Sequence, residues 1–321
     1  MRSLDRGAWA SNSIVRLGKE SEFFTLDRLK MRTIDRLKDY LRRRIGGYKV
    51  AIKDVPTTNR VYRGRVCKER PDLVEELSYP PPEKVKRLGR ANREGKPMFY
   101  CSLGAFPVFF EIHAREGEFV ALSEWALTEP LWMHNLGYHP DALGRMGAGV
   151  SDNRIPLLNP VPNETNRNNR LRRRMSLAFT QEVPKGAEYR YKETIAITEL
   201  LFDGASPVPN HGPGAPKCEY VAGIVYPAVQ MRGLADNIAM LPDFTDRYVM
   251  IKSVRYLRVE AADREKVSYT FLTLARADSF AGNTIVWSKD QVPEAERRSH
   301  VTFDDGHWIF RDGFGRVYGV H

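Results

Sequence analysis

The sequence predicts an α+β fold: a core sheet of mixed and antiparallel strands with flanking helices, a helical N-terminal arm and a β-rich C-terminal extension. Three observations carry this. Apolar residues recur at helical spacing in residues 22–45 and 190–202, and short alternating runs occupy much of the remaining chain. A length of 321 residues with 42% hydrophobic content is enough to bury a large core. The expected division is 1–50 for the arm, 51–260 for the central domain and 261–321 for the extension, packed on the same domain.

The first element is one amphipathic helix over 22–45, with Leu26, Leu29, Ile34, Leu37 and Leu41 as its stripe, Thr25 as cap and Gly46–Gly47 as stop. Its last turn carries Arg42, Arg43 and Arg44, cations that complement the helix dipole by about 0.3 to 1 kcal/mol each. Between Tyr48 and Val66 lie short strands separated by Pro56 and Asn59. The later of these, RVYRGRV, is read as sending Arg60 and Tyr62 to opposite faces. SYPPPE at 78–83 breaks regular structure as an ordered loop. MFYCS (98–102) reads as a strand, and Pro107 opens a helix that carries Phe110 and Glu111 in its first turns. EFVALSEW (118–125) is a strand, whereas 130–165, rich in Asn, Pro and Gly, reads as a long irregular insertion. RYKETIAITELLF (190–202) is helical, and a Pro/Gly loop then leads to the strand VAGIVYPAV. DRYVMIKSVRYLRVE and EKVSYTFLTLARA are alternating strands, and TIVWS and HWIFRD continue the sheet.

The formal charge of +10 suits nucleic acid, an anionic surface, an acidic partner or an anionic small molecule, and does not choose among them. The run Arg167, Arg170, Arg172, Arg173 and Arg174 reads as a solvated face, because no aromatic residue is interleaved with it; direct nucleic-acid binding is therefore disfavoured. No apolar stretch reaches the roughly 18 residues of a membrane span, and the first residues lack a secretory h-region, so the expected compartment is the cytoplasm. Cys67, Cys101 and Cys218 have neither paired nor metal-like spacing, and the seven histidines show none; no metal is expected.

The segment 89–111, GRANREGKPMFYCSLGAFPVFFE, places an arginine, a tyrosine, a serine and a glutamate in an otherwise apolar stretch. With the cations of RVYRGRV upstream, it suggests a pocket for a phosphorylated small molecule. From residue type alone, Arg63 and Glu111 also read as a buried ion pair and Tyr100 as an ordinary strand aromatic. Ser102 and His113 read as structural.

The order of these residues resembles the RES domain, a family named for its arginine, glutamate and serine that includes toxins of bacterial toxin–antitoxin modules. Arg63 in VYRGRV takes the place of the first arginine, with Arg60 and Arg65 close enough to be confused with it. GRAN at 89–92 matches a Gly-Arg-Trp-Asn element with Ala91 for the tryptophan. Tyr100, Glu111 and then Thr194, a hydroxyl where the family has serine, follow in order, and GIVYPAV has Ala228 where many members have serine. The likeness spans about residues 58 to 240. It implies a fold related to ADP-ribosyltransferases and an enzyme that consumes NAD as substrate: a glycohydrolase, phosphorylase or transferase handing ADP-ribose to phosphate, water or a protein. An Xre-type antitoxin and a homo-oligomer are the partners to expect.

On that implication Arg63 and Arg90 hold the pyrophosphate, since a guanidinium donates paired, charge-assisted hydrogen bonds to phosphate. Glu111 stabilises the cation that develops on ribose, as carboxylates do in glycoside hydrolysis. Tyr100 stacks on a ring and offers its hydroxyl to phosphate, with Tyr62 on the same wall and Asn92 also at the ligand. Thr194 bonds ribose or positions Glu111. Two other readings stand beside this one: a basic, non-catalytic module for nucleic acid or an acidic protein, and a retained fold with a dead pocket, motivated by Ala91 and Ala228.

Overall fold

Two threonines divide the N-terminal helical stretch. Thr25 caps α1 (Leu26–Met31) and Thr33 caps α2 (Ile34–Ile45), each hydroxyl accepting the N–H three residues on, at 3.3 and 3.4 Å. Thr33 is extended (φ −73, ψ 158), so the helix cannot pass through it, and the single helix expected over 22–45 is two. The computed structural model describes residues 23–48, 50–147, 164–203, 220–263, 266–304 and 307–320.

The chain is α+β. Its strands are β1 (Ile52–Val55), β2 (Arg60–Cys67), β3 (Phe99–Ser102), β4 (Phe119–Leu127), β5 (Leu131–Asn135), β6 (Gly223–Pro227), β7 (Asp236–Met240), β8 (Val249–Asp263), β9 (Ser268–Ala277), β10 (Ser279–Ala281), β11 (Thr284–Val286), β12 (Arg298–Asp304), β13 (His307–Arg311) and β14 (Val317–Val320). One sheet runs β1-β5-β6-β7-β3-β2-β4-β8-β9-β12-β13-β14, antiparallel except between β5 and β6. The boundary expected after residue 260 falls inside β8, so the C-terminal strands extend the same sheet.

Three expectations need correction. Residues 131–146, taken as irregular, hold β5, which pairs on both edges, and α4 (Pro140–Met146); residues 148–163 lie outside those described. LWMHN is short, and its three leading apolar residues followed by His134 and Asn135 show no alternation, which hid a strand buried in the sheet. TIVWS does not join the main sheet: its first three residues form β11, which turns back on β10 around Gly282 (φ 61). Finally, Arg60 and Tyr62 are two residues apart on β2 and share a face, because strand side chains alternate with period two.

The two faces of the sheet are covered differently. On one, Val61, Phe99, Trp125, Met133, Val225 and Ile238 form a core capped by Leu77 and by Leu143 of α4. On the other, Ile224, Tyr226 and Ala239 meet α2, α5 (Asn166–Phe179) and α6 (Tyr191–Asp203) through Leu37, Leu41, Phe179 and Ile195. Further along that second face, Val120, Leu122, Val259, Tyr269 and Phe271 meet α3 (Pro107–Glu111). Phe109, Phe110 and Tyr269 are fully buried there, a gain of about 1.5 to 3 kcal/mol for each such side chain. Between the two helical covers the sheet is left open.

His134 on β5 is buried, 6% exposed, near the ring of Phe202, and burial pushes its imidazole down to about 4 from 6.5. Between those values the unfolded chain binds the proton and the folded one does not. Stability is therefore complete above the unfolded pKa and falls as pH drops toward the folded one, by roughly 3 kcal/mol. His139 and His300 are shifted the same way by burial and add to the loss. Urea midpoints at about pH 7 and about pH 4.5 are expected to separate widely in the parent and less in His134→Gln. An equal separation in both would refute the assignment to His134.

Candidate functional site

The open strip is crossed by one row of side chains. Tyr62 on β2 faces Ser102 on β3, Ser102 faces Asn237 on β7, and Asn237 faces Tyr226 on β6. Facing residues project to the same side. All four line a cavity of about 250 Å³. It lies where β2 and β3, joined only by the Tyr62–Ser102 pair, part from each other.

Helix α3 forms the second wall. Pro107 starts it, its fixed φ suiting the first turn. Gly64 lets it lie on β2, since a Cβ there would stand 2.3 Å from Val108 Cγ1. Val108, Glu111, Ile112 and His113 thereby face the cavity. Glu111 is the last residue of α3, and His113 follows in the left-handed region at φ 54, uncommon outside glycine.

The Gly89–Asn92 turn presents Arg90, and Tyr100 ties the turn together. The Tyr100 hydroxyl accepts the Ala91 N–H at 2.8 Å and donates to Asn92 Oδ1 at 2.8 Å, while Gly89 N–H donates to the Asn92 carbonyl at 2.9 Å. Gly89 is needed for this closeness: a Cβ would sit 2.3 Å from Asn92 Oδ1 and 2.9 Å from the Tyr100 oxygen. Asn92 and the Tyr100 hydroxyl, expected at the ligand, are thus committed to the turn; Asn92 does not line the cavity, although the Tyr100 side chain does. Burial holds the Tyr100 hydroxyl well above its usual range, so it stays a donor. Next in the chain, Arg93 bonds Asp35 of α2 at 2.8 Å and Glu199 of α6, and Lys38 bridges Glu199 and Asp203 at 3.3 and 2.8 Å. The N-terminal helices are in this way pinned to the turn that carries Arg90.

Both expected phosphate arginines border the cavity, and both are held by main-chain carbonyls. Arg90 donates to the carbonyls of Phe179 at 2.6 Å and Gln181 at 3.1 Å, between the rings of Tyr191 and Tyr226 at 5.4 and 6.0 Å. Arg63 leaves the opposite face of β2 from Tyr62 and donates to the carbonyls of Leu77 at 3.1 Å and Tyr100 at 2.7 Å. Burial lowers it to about 10, which leaves it cationic at neutral pH. Carbonyls orient a guanidinium without neutralising it. Among the described residues no carboxylate lies within ion-pair distance of Arg63 or Arg90, so the field of both reaches the cavity.

Thr194 is not in the wall. It is buried on α6 and its hydroxyl donates to the Tyr191 carbonyl at 3.0 Å, one turn back in its own helix. The residue of α6 that does line the cavity is Tyr191, at the helix start. Tyr191, Tyr226, Asn237 and Gln230 had not been singled out, and Ser102 and His113, read as structural, line the cavity as well. Tyr226 stood inside the GIVYPAV motif and was the one signal available. Its hydroxyl is raised well above the usual value by burial first, then by Tyr100 and Glu111. Ala91 and Ala228 lie in the flanking cores and not in the wall.

The arginine run of α5 is in the main the solvated face expected, with Arg167, Arg170 and Arg174 exposed; Arg172 is buried, and several of the run are engaged within the chain. Arg172 pairs with Glu164 at 3.0 Å and Arg173 with Asp141, Arg167 donates to the carbonyls of Arg44 and Gly46, and Arg174 lies 5.8 Å from the Phe23 ring. Among the described residues no cluster of His, Cys, Asp and Glu is placed to hold a metal ion, and no helix is long and apolar enough to cross a membrane. No protein-family model matches the chain, and no curated protein matches it.

Proposed function

We propose that the cavity binds NAD and that the protein cleaves its nicotinamide N-glycosidic bond, passing ADP-ribose to phosphate, water or a protein acceptor. The observation that carries this reading is the meeting, in one cavity, of Glu111, an aromatic wall and two arginines that no carboxylate among the described residues neutralises. Arg63, Arg90, Tyr100 and Glu111 come from β2, the Gly89–Asn92 turn, β3 and α3, in the chain order that the RES resemblance selects. The related ADP-ribosyltransferase fold belongs to the same proposal.

The volume, about 250 Å³, is just below the roughly 300 to 1,000 Å³ of pockets that enclose a drug-sized ligand. It suits one end of a dinucleotide. Tyr62, Tyr191 and Tyr226 supply faces for the nicotinamide ring, and Glu111 at the end of α3 meets the adjoining ribose. As the bond between the ribose anomeric carbon and the ring nitrogen breaks, its electron pair leaves with nicotinamide, which departs neutral. The positive charge passes to the sugar, where the carboxylate of Glu111 opposes it, and the acceptor oxygen then bonds that carbon, a water or hydroxyl acceptor releasing its proton to solvent. Nicotinamide needs no proton to leave. Consumption of NAD would make the protein a toxin, and an Xre-type antitoxin would act by covering the cavity mouth.

Purified protein incubated with NAD is expected to release nicotinamide, with ADP-ribose or its 1″-phosphate appearing according to whether phosphate is present. Absence of nicotinamide release with water, phosphate and a protein mixture as acceptors would end this reading.

A further inference from the structure

A second cavity, of about 330 Å³, adjoins the first and shares Arg63 and Tyr100 as its partition. Its outer wall is basic: Lys84, Lys86 and Arg87 line it, from the short stretch between the 3-10 turn Pro82–Lys84 and the Gly89–Asn92 turn. This stretch is fixed by its backbone. Lys84 and Val85 N–H donate to the carbonyls of Pro81 and Pro82 at 2.9 and 3.1 Å, and the Val85 carbonyl accepts Gly95 N–H at 3.0 Å. The backbone that carries the cations is therefore tied at both ends, at Val85 and at Gly89, which limits the ordering cost of binding.

Among the described residues, Lys84, Lys86 and Arg87 have no carboxylate within ion-pair distance, in a protein where Lys38, Arg93, Arg172, Arg173 and Arg298 each have one. Arg87 acts on Glu188 only as a lesser cause of its lowered carboxyl, the Gly186 N–H coming first. At the partition, Arg63 uses Nε and Nη1 on carbonyls, and its Nη2 has no hydrogen-bond partner among the described residues. Like charges gathered round one cavity repel each other until an anion enters.

We propose that this basic cavity is a diphosphate subsite, in which Lys84, Lys86 and Arg87 hold the pyrophosphate of the dinucleotide whose nicotinamide end occupies the first cavity. The identity of the ligand rests on the NAD reading above; the requirement for a multiply charged anion rests on the cavity itself. The subsite also resolves a difficulty in that reading, because Arg63 and Arg90 are largely engaged with carbonyls and leave most phosphate oxygens to other donors.

The test is calorimetric titration of ADP-ribose, inorganic pyrophosphate and orthophosphate into the parent and into Lys84→Ala/Lys86→Ala/Arg87→Ala. A Lys84→Gln/Lys86→Gln double variant accompanies it, since both positions are exposed and the change leaves the fold intact. ADP-ribose and pyrophosphate are expected to bind the triple variant about tenfold or more weakly, with a shallower salt dependence, and the double variant to show a smaller loss in the same direction. The KM for NAD rises while kcat holds. Unchanged ADP-ribose affinity in both variants overturns the subsite while leaving NAD cleavage untouched. Loss confined to orthophosphate also overturns it, by assigning the cations to the acceptor. Pyrophosphate binding that the variants abolish, in a protein that neither binds nor cleaves NAD, upholds the anion site and refutes the NAD reading.

Discussion

Glu111→Gln is expected to lower the rate of nicotinamide release by roughly 10²- to 10³-fold while ADP-ribose affinity changes little. Glutamine keeps the shape and hydrogen-bonding reach of glutamate at the end of α3 and removes only the charge. A neutral amide can bond a ribose hydroxyl in the ground state, but it cannot oppose the positive charge that appears on the sugar as the bond lengthens. The loss therefore falls on kcat, the signature of an interaction made in the transition state. The Tyr226 hydroxyl provides a second readout: Glu111 is among the groups that raise it, so its titration moves down in the variant. A variant as fast as the parent would remove Glu111 from the chemistry.

Tyr100→Phe is expected to be harmful for a different reason. Without the hydroxyl, the Ala91 N–H and Asn92 Oδ1 lose their shared partner inside the Gly89–Asn92 turn. Leaving such groups unsatisfied costs about 1 to 3 kcal/mol. The melting midpoint should fall by several degrees, at about 2 to 4 °C per kcal/mol for chains of 150–250 residues and less for a longer one. With the turn loosened, Arg90 is less firmly placed and the KM for NAD rises. A hydroxyl acting on the ligand would give the opposite pattern, intact stability with lost activity, and a melting curve recorded beside the kinetics separates the two.

How far the sequence could be read depended on whether a feature was local. The helix at 190–202 and the strands at 98–102, 118–125 and 268–277 stand where periodicity put them, since each buries a face whose pattern lies within its own residues. The break at Thr33 was visible as the five-residue step from Leu29 to Ile34, too wide for a helical stripe. β5 was invisible because three consecutive apolar residues followed by His134 and Asn135 carry no period. In the site, the motif order led to Tyr62, Arg63, Arg90, Tyr100 and Glu111, all of which border the cavity. Asn237 and Tyr191 were missed because strand register and helix docking bring them in, and neither is written in local sequence. Thr194 failed by one helical turn: the pattern identified the helix and not the end of it that meets the cleft.

The row Tyr62–Ser102–Asn237–Tyr226 also dictates when the cavity can first form. β3 depends on β7 for its second edge, and β7 on β6, so the floor of the cavity joins segments more than a hundred residues apart in the chain. Such non-local pairings close late, because the intervening chain must be ordered before they are rewarded. A chain that ends between residues 112 and 235 has β2, β3 and Glu111 but lacks the Asn237 side of the floor. The cavity is in that sense a property of the chain through β7, and N-terminal fragments that stop short of it are expected to bind no ligand there.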